Sequence, residues 1–342
     1  MTPRIDLRCV DTHTAGGATR VIFSGLPILD GSTVAEKMEH FRANHDWLRK
    51  LLINEPRGHL ALYLAAVTDM DRSTSQLQVF FMNAGGYLPT CVHSILGVAS
   101  AALTTEIGQG PPRGELSIEI PLGVVRVLPS YDNGCIDSFA VRYVSAHVVN
   151  PAVTVALGGT RTLSAAIAFC GVFIALVDVK DISPGLSSDN PLITRGDIPT
   201  LSVLATELLK VINKQVDPGD SLIVHVVTNV AILMLYETTA RGIVLNLVVN
   251  RQGVVDRSPC GAGTAALAAL LHFAGRLQVS ERIIVQGILG TQFSARISYV
   301  SHSENQTSVA VEVSGSAYVT GFNRIILSQD DPLTEGVTAL NG

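Results

Sequence analysis

An α+β fold of two similar strand-rich lobes, each wrapped around a central helix, is what this 342-residue chain predicts. Three observations carry that expectation. Short apolar segments of strand character recur along the whole length. Two small-residue stretches of helical character each follow a turn carrying a proline and a cysteine, about half the chain apart. The length itself suits roughly two domains of ~150 residues, and hydrophobic residues, at 47%, are plentiful enough for two cores.

The elements follow in order. Leu7-Arg8-Cys9-Val10 and Arg20-Val21-Ile22-Phe23 alternate as a hairpin does, with Asp11-Thr12-His13-Thr14-Ala15-Gly16-Gly17 as its polar, glycine-rich connection. Thr33 to Leu52 interleaves Met38, Phe41, Trp47, Leu48, Leu51 and Leu52 with charge, the spacing of an amphipathic helix. Strands are expected at 60–67 and 77–82, then a helix from about Cys91 to Thr105. Further strands fall at 116–120, 123–128, 139–143 and 145–149. Pro129-Ser130-Tyr131-Asp132-Asn133-Gly134 marks the neighbourhood where one lobe gives way to the other. The second half predicts strands at 168–178, a helix near 200–215 and strands at 221–236 and 242–249. A helix from about Cys260 to Gly275 follows, then strands at 282–286, 292–300, 307–315 and 324–328. The pattern does not fit alternating βαβ units.

Composition narrows the function. Charged residues are only 15% and the formal net charge is −5 without a basic cluster, so nucleic acid is not an expected partner. The N-terminal residues lack the apolar core of a signal peptide. The most apolar segment, Thr162 to Val177, is shorter than the ~20 residues of a membrane span and is interrupted at Cys170-Gly171. No membrane association is expected. Five cysteines at 9, 91, 135, 170 and 260, without a CxxC pair, point to free thiols in a reducing, cytoplasmic setting and to no structural zinc.

The chemistry is expected at two of those thiols. Pro89-Thr90-Cys91-Val92-His93-Ser94 and Asp256-Arg257-Ser258-Pro259-Cys260-Gly261-Ala262-Gly263 each place sulfur at the start of a helix, where the dipole favours thiolate. One thiol from each lobe, offered to a shared cleft, suits a pair of opposed acid/base groups working on one carbon.

At these residues the chain resembles the proline racemase family, which includes hydroxyproline 2-epimerases and trans-3-hydroxyproline dehydratases. The resemblance extends to Asp11–Gly17, to Asn54-Glu55-Pro56-Arg57-Gly58-His59, to 287–296 and to 314–321. It implies a diaminopimelate epimerase-like fold, its first lobe residues 1–136 plus 322–342 and its second 144–316. It also implies a homodimer, an imino acid as small-molecule substrate, and no cofactor or metal. Cys91 and Cys260 would exchange the α-proton on opposite faces. Backbone N–H groups near Val92-His93 and Gly261-Ala262 would bind the carboxylate as it gains enolate-like charge, and His93 and Asp256 would hold the ring nitrogen. Val92 stands where the family usually has glycine, its branched side chain crowding any ligand, and Ala262 where it usually has threonine. Glu55, Arg57 and His59 read as a buried polar scaffold, and Cys9, Cys135 and Cys170 as structural or incidental.

Competing functions are a trans-3-hydroxyproline dehydratase, a binding protein that kept the fold without the chemistry, and a Cys-His hydrolase. The dehydratase branch typically carries threonine in place of the second cysteine, so Cys260 favours the isomerase. The hydrolase would need His93 as base to Cys91, and two positions apart on a helix start they are not expected to face each other.

Overall fold

The computed structural model describes residues 5–71, 76–105, 114–158, 160–183, 191–193, 197–216, 229–303 and 306–337. The chain opens with β1 (Ile5–Thr14), β2 (Gly17–Ser24), α1 (Val34–Ile53), β3 (Leu62–Asp71), β4 (Gln76–Asn83), β5 (Gly86–Leu88), α2 (Val92–Thr104), β6 (Leu116–Ile120) and β7 (Gly123–Asp132). The long β8 (Cys135–Gly158) leads to β9 (Arg161–Phe169), β10 (Phe173–Asp178), the single turn α3 (Val179–Ile182) and α4 (Ile198–Gln215). Then come β11 (Val230–Thr238), β12 (Ile243–Asn250), α5 (Gly261–Phe273), β13 (Arg282–Gln286), β14 (Gln292–Ser303), β15 (Gln306–Gly315) and β16 (Ala317–Leu327). Two compact units result, Met1–Val141 with Gly315–Gly342, and Arg142–Ser314, with the division inside β8.

The two units repeat one strand plan. In the first, β1–β2 is antiparallel, β2–β3 parallel, β3–β4 antiparallel, β4–β6 parallel and β6–β7 antiparallel. In the second, β9–β10, β10–β11, β11–β12, β12–β13 and β13–β14 run through the same alternation. A parallel pair needs a crossover connection, and a helix is the usual one. Accordingly α1 and α2 occupy the two crossovers of the first unit, and α4 and α5 those of the second. The second unit's strands also close into a ring, because β15 pairs with β8.

Side-chain alternation explains why one crossover helix in each unit is amphipathic and the other is not. Leu7, Ile22, Leu64, Phe80 and Met82 point to one face of the first sheet, where Met38, Phe41, Leu48, Leu51 and Leu52 of α1 cover them. Val10, Thr12 and Thr14 point to the opposite face, against which α2 packs. The same division recurs in the second unit. Leu201, Ala205, Leu208 and Leu209 of α4 pack on Val177, Leu233, Leu235 and Leu247, leaving the other face for α5. Sheets covered on both faces read as continuous apolar runs, as at Phe173–Val177. Helix α1 begins with a capping box between Thr33 and Glu36.

Several boundaries differ from the sequence expectation. The hairpin connection shrinks to Ala15-Gly16, both with positive φ as a tight hairpin turn requires, because the preceding threonines belong to β1. The strands expected at 139–143 and 145–149 are one strand, β8, whose pairing with β9 is bulged around Val148–Asn150. The run 168–178 is broken into β9 and β10 by a turn in which Gly171 takes φ 74°. Of the strand expected at 221–236, residues 221–228 lie outside the described residues. Among the described residues, no helix is long and apolar enough to cross a membrane.

Candidate active site

Helix α2 is buried from Val92 to Ala102, a run without a charged residue in which the polar His93, Ser94 and Ser100 each have a partner. Gly97 packs directly against β1: a Cβ there would lie 2.5 Å from Thr12 Oγ1. Cys91 is the N-cap, in extended backbone with φ −154°, so its side chain folds back over the first turn. Its Sγ lies 3.2 Å from Ser94 Oγ, 3.6 Å from His93 Nδ1 and 3.8 Å from His93 Nε2. The thiol and imidazole therefore do meet, contrary to the sequence expectation, because an N-cap side chain does not follow the helical spacing of the residues after it. The hairpin tip steadies this turn. Thr14 Oγ1 donates to the His93 carbonyl at 2.7 Å, Thr19 Oγ1 and Ser94 Oγ are 3.0 Å apart, and the His93 ring stands edge-on to Tyr63. Val92 is buried with the rest of this helix start, at 2% exposure.

The second thiol is held by a different local chemistry. Asp256 Oδ1 accepts from both the N–H and the hydroxyl of Ser258, each at 2.9 Å, and Ser258 Oγ in turn accepts the Cys260 N–H at 3.1 Å. The Pro259 carbonyl receives Asn246 Nδ2 at 2.7 Å and Thr264 Oγ1 at 3.2 Å. This cage holds Cys260 at φ 59°, a region costly for any residue with a Cβ. From there its Sγ accepts the Gly263 N–H at 3.4 Å, at the N-terminus of α5. Gly261 is buried and Ala262 partly exposed in that first turn. A helix's first N–H groups have no carbonyl of their own to bind, and at both starts they carry partial positive charge beside a sulfur.

Cys91, Val92 and His93 thus share one helix start in the first unit, and Asp256, Cys260, Gly261 and Ala262 share the other in the second. All five cysteines are free. Burial pushes the thiols of Cys9 and Cys170 up to about 12, which keeps them protonated and inert. The motif around Arg57 departs from a buried scaffold: Glu55 and His59 are exposed, and only Arg57 is half-buried. Its guanidinium pairs with Asp331, and its carbonyl takes a bond from Arg20, which also forks onto Asp11. Among the described residues no group of three or more His, Cys, Asp or Glu is arranged to hold a metal ion.

Sequence inspection missed the supporting shell: Thr14, Thr19 and Ser94 in one unit, Asn246 and Ser258 in the other. Ser94 and Ser258 stood within the quoted motifs. The threonines carried a weaker signal, since buried hydroxyls, Thr12 and Thr14 in β1 and Thr19 in β2, must each find a hydrogen-bond partner.

The family model described as proline racemase matches residues 9–338. The chain is 32% identical over 333 residues to a proline racemase of Clostridioides difficile, covering 96% of this chain and 97% of that protein. It is also 32% identical over 338 residues to the trans-L-3-hydroxyproline dehydratase of Xenopus tropicalis, covering 96% and 94%. Among solved structures, a hydroxyproline epimerase from Agrobacterium vitis with bound trans-4-hydroxy-L-proline superposes with TM-score 0.88, at 23% identity, over 100% of this chain and 97% of that one. A fold and a sequence similar from end to end to these proteins place the chain, with a cysteine at the N-cap of the matched helix in each unit, in the proline racemase family.

Proposed function

We propose that the chain inverts the α-carbon of proline or a hydroxyproline without a cofactor, with Cys91 and Cys260 as its two acid/base groups. The carrying observation is that a cysteine is the N-cap residue of the second crossover helix in each unit, in a strand plan the two units share. In this reading one lobe supplies each thiol and the substrate lies in the cleft of a diaminopimelate epimerase-like fold. One sulfur removes the α-proton as thiolate while the other, as thiol, returns a proton to the opposite face. As the carbanion forms, charge spreads onto the substrate carboxylate. The N–H groups near Val92-His93 and Gly261-Ala262 are suited to that charge, since fixed donors need no reorganisation as it develops. His93 and Asp256 hold the ring nitrogen.

L-proline and trans-4-hydroxy-L-proline incubated with the protein in D₂O should take up deuterium at the α-carbon and change optical rotation. Cys91→Ser and Cys260→Ser should each lower that turnover at least about a thousandfold, at the upper end of what a positioned acid/base group contributes, with circular dichroism unchanged. Full activity in either variant removes the two-base proposal. The similarity to a dehydratase supports one further reading, water loss from trans-3-hydroxy-L-proline. A cyclic imine product, trapped by coupled reduction, would establish that reading instead.

A further inference from the structure

An acid/base thiol in a buried turn must be stable in two protonation states, and most partners suit only one. A backbone N–H can only donate and so favours thiolate, whereas a carbonyl can only accept and so favours thiol. A hydroxyl does both. Cys91 Sγ is 3.2 Å from Ser94 Oγ, which is 3.0 Å from Thr19 Oγ1, and neither hydroxyl-bearing residue is solvent-exposed. Ser94 is the third residue of α2 after the N-cap, the position whose side chain ordinarily reaches back to the cap. In α5 the equivalent position is Gly263, which has no side chain and meets its cysteine through the backbone N–H.

We infer that Ser94, backed by Thr19, is the positioning residue that lets Cys91 pass between thiol and thiolate; this rests on Cys91 serving as an acid/base group. With Cys91 protonated, the S–H donates to Ser94 and the Ser94 hydroxyl donates to Thr19. When the proton leaves sulfur for the substrate carbon, both hydroxyls rotate, so that Ser94 O–H donates to the thiolate and Thr19 O–H donates to Ser94. No hydroxyl bond breaks, and the proton count changes at sulfur alone. The charge-assisted bond to sulfur is the stronger of the two arrangements, so losing the hydroxyl weakens the thiolate more than the thiol. His93, also in contact with the sulfur, does not replace this pair, because by the reading above its ring is engaged with substrate.

The test needs no turnover. Iodoacetamide alkylation of the native protein, followed for each cysteine by peptide mass spectrometry from pH 6 to pH 10, reports the thiolate directly. Ser94→Ala should slow Cys91 labelling about tenfold at pH 7, as loss of one charge-assisted bond implies. The gap should close toward pH 10, and Cys260 should label within about twofold of wild type. Thr19→Val, which keeps the shape of threonine, should slow Cys91 about threefold, and Ser94→Thr should restore it. If Ser94→Ala does not fold, Thr19→Val decides. An unchanged pH profile at Cys91, or an equal change at Cys260, overturns the inference. Deuterium exchange by the wild-type protein is scored separately, so failure of the isomerase reading cannot be mistaken for failure of the hydroxyl pair.

Discussion

Helices α2 and α5 have the same length, occupy the same crossover of a repeated strand plan and are capped by the same residue type, yet they hold their sulfurs in opposite ways. Cys91 sits in relaxed, extended backbone and reaches into a pair of buried hydroxyls. Cys260 sits at positive φ, locked by Asp256, Ser258 and Asn246, and takes an N–H from its own helix. The repeated topology explains why both thiols stand at helix starts. It does not explain their partners, which differ between the two helix starts: the hydroxyls of Ser94 and Thr19 at one, the Gly263 N–H at the other. On the reading proposed above, two like groups that exchange roles need not be poised alike.

The largest expected contrast separates these two thiols from Cys9 and Cys170, the exposed Cys135 standing apart. Cys9 and Cys170 are buried within strands or the turn between them, and desolvation holds each protonated to about pH 12. Below pH 9 neither should label with iodoacetamide in the native protein, while Cys91 and Cys260 label at least a hundredfold faster. Labelling of Cys170 at a rate like that of Cys260 would end the distinction. The same two groups carry a stability consequence. Their folded values lie above the ordinary 9.0, so the folded state keeps protons that the unfolded state releases. Their contribution is complete below about pH 9 and is lost as pH rises toward about 12. Urea midpoints should therefore fall across that window, and Cys170→Ala should flatten the fall.

Much of this was legible in the sequence, for identifiable reasons. Apolar runs bounded by turn residues located most strands, and charge interleaved with apolar residues located α1. The thiol helices were visible because a helix buried on all sides favours small, uncharged residues, as in Gly97-Val98-Ala99-Ser100-Ala101-Ala102. Illegible were the features that depend on where a side chain folds back. The contact of Cys91 with His93 needs the extended cap, and the assignment of Asp256 Oδ1 to Ser258 needs the turn. Exposure at Glu55 and His59 also escaped, since a charged motif gives no sign of which side faces solvent.

Glycine substitutions sharpen the comparison at the next level of effect. In Gly97→Ala the new Cβ meets Thr12 Oγ1 at 2.5 Å, and that hydroxyl is fixed by its bond to the Thr19 carbonyl. The gain in helix propensity is about 1 kcal/mol, less than the overpacking and the lost hydrogen bond cost together, so a net loss of about 1–2 kcal/mol is expected. In Gly263→Ala the Cβ meets the end of the flexible Met234 side chain, which swings aside. Stability should then change by less than about 1 kcal/mol, while Cys260 labelling changes because the new methyl lies 3.3 Å from Sγ. Equal losses in urea unfolding for the two variants would show that the helices are packed alike after all.

The smallest effect isolates the backbone. Alanine and glycine at a cysteine position both remove the sulfur and differ by one methyl, buried alike at 91 and 260, so comparing that difference between the two positions isolates conformation. At position 260, φ 59° penalises alanine but not glycine, and Cys260→Gly should be more stable than Cys260→Ala by about 1 kcal/mol. At position 91, φ −154° is open to both, and glycine's extra chain entropy is offset by its better performance as an N-cap. Cys91→Gly and Cys91→Ala should therefore agree within about 0.5 kcal/mol in paired urea titrations. A glycine advantage at 91 as large as at 260 would mean that Cys260 is not the strained member of the pair. The cage of Asp256, Ser258 and Asn246 would then serve the fold of the turn and not the aim of the sulfur.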